Sequence, residues 1–332
     1  MNIAVTGATG HVGANLVRTL VDGGHRVRAL VHGGNRRGLE GVACEFVDGD
    51  LLDPATLTRA FDGCERVFHL AARISIVPGD DDVVHAINVD GTRNVVAACV
   101  ERRVARLVHF SSIHALSPMP HDQAIDETRA LTSSPRMPPY DRSKAAGERE
   151  VQAGIARGLD AVIVNPTAIL GPHDYGPSAM GRVLLDLYHR RLPALVDGGF
   201  DWVDVRDVVA GALAAADRAP TGARYLLSGA RRTVAELAAI VKEVTGVRPP
   251  RVNAPMWLAR VGAPFATAYA RVAGKEPLYT RHSLHALRNH QLVSHDKASR
   301  ELGYAPRPLV ETITAAFDSF RANGALASPP RA

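Results

Sequence analysis

The chain has little cysteine, almost no lysine and no long apolar run, and each shortage excludes something. Its three cysteines, Cys44, Cys64 and Cys99, lie far apart without a CxxC pair. That pattern suits neither a disulfide framework nor a structural zinc site, so a reduced, cytoplasmic protein without a metal is expected. No stretch approaches the roughly 20 apolar residues that cross a bilayer. The N-terminus runs straight into an apolar strand pattern, so neither a membrane span nor a secretory leader is expected. Only four of the 39 basic residues are lysine. The arginine pairs at 36–37, 102–103, 190–191 and 231–232 are scattered rather than gathered on one recognition module. A net charge of +5 therefore does not signal nucleic-acid binding. A mildly cationic surface suits an anionic small molecule instead.

What is present is globular: 332 residues, 46% hydrophobic and 22% charged, with 29 glycines. Short apolar runs at Ile3–Thr6, Arg26–Val31, Cys44–Val47, Arg66–Leu70, Arg106–Phe110 and Ala161–Asn165 read as strands. Helical patterns lie between them at Val12–Asp22, Pro54–Phe61, Asp82–Arg102 and Tyr140–Arg157. Strand and helix in alternation, with valine-rich strands, predict an α/β fold whose parallel sheet is covered on both faces. After Pro166 the strands shorten and Gly-Pro, Gly-Gly and Pro-Pro pairs interrupt the chain. The expected organisation is a Rossmann-type doubly wound domain over residues 1–166, with segments near 200–228 returning to it. A smaller mixed α/β substrate domain spans 167–324, and residues 325–332 form a frayed tail.

Residues 6 to 13 read Thr-Gly-Ala-Thr-Gly-His-Val-Gly, between the first strand and the first helix. Gly7 permits a tight turn, Gly10 lets backbone approach a pyrophosphate, and Gly13 lets helix and strand pack closely. The N–H groups around Thr9, His11 and Val12 at the helix start would face the anion. At the end of the second strand an NAD site usually carries a carboxylate. This chain has His32, then Arg36 and Arg37, which favours NADP(H) and leaves NAD(H) as the alternative. Asp50 and Leu51, after the third strand, are placed to meet the adenine.

Tyr140 and Lys144 lie four apart on a helical pattern, one turn apart on one face. Ser111 and Ser112 close the fifth strand at the same carboxyl edge of the sheet. Hydride transfer to a carbonyl builds negative charge on oxygen, so a proton donor must lie within hydrogen-bond reach. Tyr140 can supply it, a neighbouring Lys144 ammonium and an oxidised nicotinamide would lower its pKa, and Ser112 can hold the carbonyl oxygen.

These stretches resemble the extended short-chain dehydrogenase/reductases of the NAD-dependent epimerase/dehydratase superfamily. The likeness runs along nearly the whole chain, through Asn88–Thr92, Asn165-Pro166, Gly171-Pro172, Val203–Asp207 and Glu301–Tyr304. It is strongest to the branch of dihydroflavonol reductases, 3β-hydroxysteroid dehydrogenases and hopanoid-associated sugar epimerases. The resemblance implies that Ala71, Ala72 and Arg73 line the adenosine ribose and pyrophosphate, and that Pro166, Thr167 and Ile169 flank the nicotinamide. It makes Asn88 a buried brace and implies a homodimer built on the helices at 82–102 and 140–157. His69 reads as a core histidine and Asp207 as a structural carboxylate.

Departures from the family pattern bear on the substrate. Ile113 and His114 stand where dehydratases carry two carboxylates, which removes the acid and base for eliminating water. Phe200 replaces an arginine that clamps diphosphate in nucleotide-sugar enzymes, although Asp201 and Trp202 remain. The expected activity is NADPH-dependent reduction of a ketone or aldehyde, or the reverse alcohol oxidation. A sugar epimerase that retains NAD is the alternative, and a dinucleotide-sensing regulator without turnover is a third reading. His114, Met119, Tyr175 and Met180 are candidate pocket walls. Ala254–Gly274, with Trp257, Leu258, Phe265 and Tyr269, reads as a packed substrate-domain helix, or else as a cover for a lipophilic substrate or a membrane surface.

Overall fold

The computed structural model describes residues 1–75, 79–259, 261–262, 284, 287–289 and 292–326. The first strands alternate their side chains between two apolar layers, and that alternation builds the core. In β1 (Asn2–Thr6), Ile3 and Val5 face one layer and Ala4 the other. Helix α1 (His11–Asp22) returns the chain to β2 (Arg26–Val31), followed by β3 (Glu45–Asp48). Helix α2 (Pro54–Phe61) starts on Asp53, whose carboxylate accepts from the Ala55 N–H, with Pro54 at the first helical position. Strand β4 (Arg66–His69) follows, then helices α3 (Asp81–His85) and α4 (Gly91–Glu101), β5 (Arg106–Phe110), α5 (Pro139–Ile155) and β6 (Ala161–Pro166).

The main sheet has seven parallel strands. Their order is β10-β6-β5-β4-β1-β2-β3, with β10 (Arg224–Leu227) returning as its edge. One face packs α1 and α7 (Val205–Arg218) through Leu16, Leu20, Val208 and Ala212. The other packs α2, α4 and α5 through Leu57, Phe61, Val95, Cys99 and Val151. Every strand points the same way, so the loops after β1, β4, β5 and β6 meet at one edge.

A smaller layer sits beyond that edge. Strand β7 (Ala168–Leu170) pairs parallel with β9 (Gly199–Asp204), which pairs antiparallel with β11 (Ala230–Thr233). Helices α6 (Ala179–Tyr188), α8 (Val234–Thr245) and α10 (Leu309–Ala322) close over them through Leu184, Leu237, Val241 and Phe317. Strand β8 (Leu195–Val196) pairs with β12 (Asn253–Ala254). Helix α9 (Asp296–Leu302) packs against α7 and the edge of the main sheet.

Three expectations change. The helix expected over 82–102 is interrupted by a π turn at Ala86–Asp90. There Asn88 turns inward: its amide binds both Arg73 backbone groups and the Ser143 hydroxyl, and Thr92 donates to the Asn88 carbonyl. Of the tail expected at 325–332, Ala325 and Leu326 are held, their N–H groups both donating to the Phe320 carbonyl and their side chains packing on the outer layer, while 327–332 lie outside the described residues. Trp257 and Leu258 are exposed rather than packed, while Phe265 and Tyr269 lie outside the described residues. No helix among the described residues is long and apolar enough to cross a membrane.

Candidate active site

The glycine loop is shaped by two close approaches. Gly7 has φ +68°, and a Cβ there would lie 2.6 Å from the Ala71 nitrogen. A Cβ on Gly13 would collide with the Gly7 carbonyl and lie 2.7 Å from the Ala8 carbonyl carbon. Gly10 differs. Its φ of −75° and ψ of 170° suit any residue, and its nearest neighbour would be the Gly7 oxygen at 3.3 Å. The protein itself barely requires glycine at position 10; an anion seated against the backbone would.

The loop after β4 is tied to β1 through a buried histidine. Thr92 spends its hydroxyl proton on the Asn88 carbonyl, so the His69 Nε2–H donates to Thr92 at 3.1 Å. The Thr6 hydroxyl then donates to His69 Nδ1 at 2.8 Å, and Thr6 Oγ1 accepts from the Leu70 and Ala71 N–H groups. Burial and the Lys144 charge push the His69 imidazole down to about 3, so it stays neutral. His69 braces the fold, as does Asp207, which holds the Arg307 backbone and guanidinium.

These loops enclose a cavity of about 370 Å³. Of the residues expected at a dinucleotide site, Gly7, Gly10, His11, Val12, Gly13, Ala72, Ser111, Pro166, Thr167 and Ile169 line it, together with Ser112, Tyr140 and Lys144. Ser112 ends the β5 loop and accepts from the His114 N–H at 3.2 Å, capping a short 3₁₀ turn (Ile113–Ala115). The Ser112 and Tyr140 side chains share a hydrogen bond. One turn along α5, Lys144 Nζ donates to the Phe110 carbonyl at 2.8 Å. Beneath it, Glu148 is fully buried and accepts from Asn165 at 2.6 Å and from Arg224.

The electrostatics correct one expectation. The protein's own groups do not lower the Tyr140 phenol: burial outweighs the Ser112 hydrogen bond and, with the Asp141 charge, pushes it up to about 12. Burial also brings Lys144 down to about 8 against the opposing charge of Glu148. A dinucleotide fits this edge on two observations. Gly10 offers backbone without a side chain, and Ser111 Oγ is buried against the cavity with no partner among the described residues.

The remaining expected contacts lie outside this cavity. His32, Arg36 and Arg37 are exposed after β2, with the Arg36 guanidinium 4.8 Å over the Phe46 ring. Asp50 accepts from the Leu52 N–H in a turn, and the Leu51 carbonyl accepts from Asn94. Thr9 and Ala71 flank the glycine loop without facing the cavity, and the Arg73 guanidinium turns to Asp80 at 3.6 Å. Of the four candidate pocket walls, His114 and Met180 line the cavity, but Met119 and Tyr175 do not. Tyr175 instead accepts from Arg18 and packs against Gly38. Phe200 and Asp201 of β9 also line it, Asp201 accepting from the Thr167 hydroxyl and the Gly229 N–H at 2.7 Å each. Asp141, beside Tyr140, was not singled out by the sequence. It is buried, and its carboxylate lies 3.3 Å from His114 Nδ1.

The model of the NAD dependent epimerase/dehydratase family matches residues 3–227. "Sterol demethylase protein B" of Methylococcus capsulatus is 38% identical over 98% of this chain and 99% of its own. The "4-hydroxy-2-methyl-3-oxo-4-farnesyl-3,4-dihydroquinoline-1-oxide ketoreductase" of Stigmatella aurantiaca is 31% identical over 92% of each chain. The crystal structure of PA4631, a nucleoside-diphosphate-sugar epimerase from Pseudomonas aeruginosa, superposes with a TM-score of 0.78 at 27% identity over 98% of each chain.

Proposed function

Because the chain belongs to the NAD dependent epimerase/dehydratase family, we propose that it is an NADPH-dependent reductase of an apolar ketone or aldehyde. The observation that carries this reading is the convergence of Ser112, Tyr140 and Lys144 on one cavity with the glycine loop. Ile74, Ile113, Met180 and Phe200 line the cavity beside Ser178, Asp201 and Asn289, and no arginine lines it among the described residues. A nucleotide sugar would bring a diphosphate with no arginine clamp to meet it. An apolar carbonyl compound asks only for burial and one hydrogen bond. The Stigmatella relative is named a ketoreductase, and the Methylococcus relative is named for a sterol, an apolar substrate.

When bound, the nicotinamide supplies the hydride. Ser112 holds the carbonyl oxygen and stabilises the charge that develops on it. Tyr140 then gives its phenolic proton to that oxygen. An alkoxide is about as basic as hydroxide, whose conjugate acid has a pKa of about 15.7, so a phenol near 12 still transfers downhill. Lys144, charged at neutral pH, lies near the phenolate left behind and would hold the nicotinamide ribose. Exposed His32, Arg36 and Arg37, with no carboxylate at the end of β2, favour NADPH over NADH. A second copy of the chain packed through α4 and α5 remains part of this reading.

The likeness to PA4631 favours one further reading, an epimerase that keeps NAD through its cycle. Denaturing the purified protein separates the two. Release of stoichiometric NAD supports the epimerase, whereas an empty site that takes NADPH in preference to NADH, with NADPH oxidised by an apolar ketone, supports the reductase.

A further inference from the structure

His114 fills a position where its chemistry reaches the proton donor. Its backbone N–H holds Ser112 Oγ, and its ring meets the Tyr140 ring edge-on at 5.9 Å between centroids. Its Nδ1 lies 3.3 Å from the Asp141 carboxylate, whose side chain is only 4% exposed. The imidazole keeps 23% of its surface and lines the cavity, so it can exchange protons with bulk water. The groups facing it are Asp141 and Tyr140 from α5, with Lys144 one turn further along the same cavity wall.

A buried carboxylate beside a phenol opposes its ionisation, and Asp141 does so to Tyr140. An imidazolium on that carboxylate cancels the charge. We propose that His114 and Asp141 form a proton-linked pair that sets how readily Tyr140 releases its proton. This rests on Tyr140 as the donor of the preceding section and adds a positioning role for two residues beside it. With His114 charged the pair is neutral and the phenolate is tolerated; with His114 neutral the carboxylate stands uncompensated. Burial works against the imidazolium, but the charge and hydrogen bond of Asp141 overcome it, so His114 holds its proton above the usual histidine range.

The test reads Tyr140 directly and the imidazole through the pH profile of carbonyl reduction. Protein labelled with 13Cζ-tyrosine is titrated by NMR with NADP+ present, the Tyr140 signal being assigned with Tyr140→Phe. His114→Gln should leave the Tyr140 midpoint in place, because the imidazole has already lost its proton there, but should flatten the fall in the rate of carbonyl reduction as pH rises through the His114 titration. Asp141→Asn alone should lower the midpoint, and the double variant should match Asp141→Asn, because His114 acts only through that carboxylate. A fall in rate with pH that persists unchanged in His114→Gln, or a Tyr140 midpoint that stays high in the double variant, overturns the proposal. If His114→Gln does not fold, Asp141→Asn decides alone: a lowered midpoint supports the pair and an unchanged one removes it. A protein whose Tyr140 responds this way yet reduces no carbonyl loses the reductase reading and keeps the pair. One that reduces carbonyls with Tyr140 indifferent to both substitutions loses only the pair.

Discussion

Two alanine substitutions in the glycine loop should have opposite consequences. In Gly13→Ala the new methyl meets the Gly7 carbonyl and the Ala8 backbone, 2.7 Å from its carbonyl carbon. Neither neighbour can swing aside as a side chain would, so α1 must lift from β1, at a cost of about 3 kcal/mol. For a chain of this size that lowers Tm by roughly 4 °C. Gly10→Ala meets nothing nearer than 3.3 Å and keeps an ordinary backbone conformation. The weaker N-cap and the reduced freedom of the unfolded chain nearly offset each other, so stability should change by less than about 1 kcal/mol. Its methyl would instead stand between the pyrophosphate and the loop N–H groups. Losing one charged hydrogen bond at about 1.5–3 kcal/mol weakens dinucleotide binding about 10- to 100-fold. Differential scanning fluorimetry and NADPH fluorescence titration on both variants are sufficient. A Gly10→Ala protein that binds NADPH as tightly as the parent would refute the idea that the anion lies on this backbone.

Other consequences can be measured alongside. Tyr140→Phe should cost about 10²- to 10⁴-fold in kcat with dinucleotide affinity unchanged, since the phenol acts in proton transfer rather than binding; equal losses in both would contradict that division. His69 titrates near 3 in the folded chain against about 6.5 unfolded, and burial first, then the His69 and Lys144 charges, pushes His109 well down too. The unfolded chain therefore takes up more protons below pH 6.5, and stability should fall with acid by about 1.4 kcal/mol per pH unit for each imidazole. His109→Leu should reduce the slope by about 1.4 kcal/mol per pH unit in urea unfolding measured between pH 6 and 4. Glu148→Gln leaves the buried Arg224 without its charge partner and should cost about 2–3 kcal/mol, read as a lowered Tm.

The fold and the centre of the site were legible because they rest on local rules. Apolar strands alternating with helices fixed the parallel sheet, and strand–glycine loop–helix placed the anion edge. A spacing of four put Tyr140 and Lys144 on one helical face. What escaped depended on distant segments. Phe200 and Asp201 could be placed only through the family likeness, because they reach the cavity from β9, paired with a three-residue strand too short to show a period. The π turn at Ala86–Asp90 left no mark in the helical pattern, since its cause is the hold of Asn88 on Arg73 and Ser143. Asp141 looked like an ordinary acid in the first turn of a helix, and only the path of the Ser112 loop sets His114 against it.

The central claim is that Tyr140 and Ser112 complete hydride transfer to an apolar carbonyl. Its most direct measurement offers a panel of apolar ketones with NADPH carrying deuterium on either face of the transferring carbon, and locates the label by mass spectrometry. Deuterium is expected on the carbinol carbon from one face only, with transfer slowed about 10²- to 10⁴-fold in Tyr140→Phe. No label in any product, together with NAD released in stoichiometric amount when the protein is denatured, would contradict it.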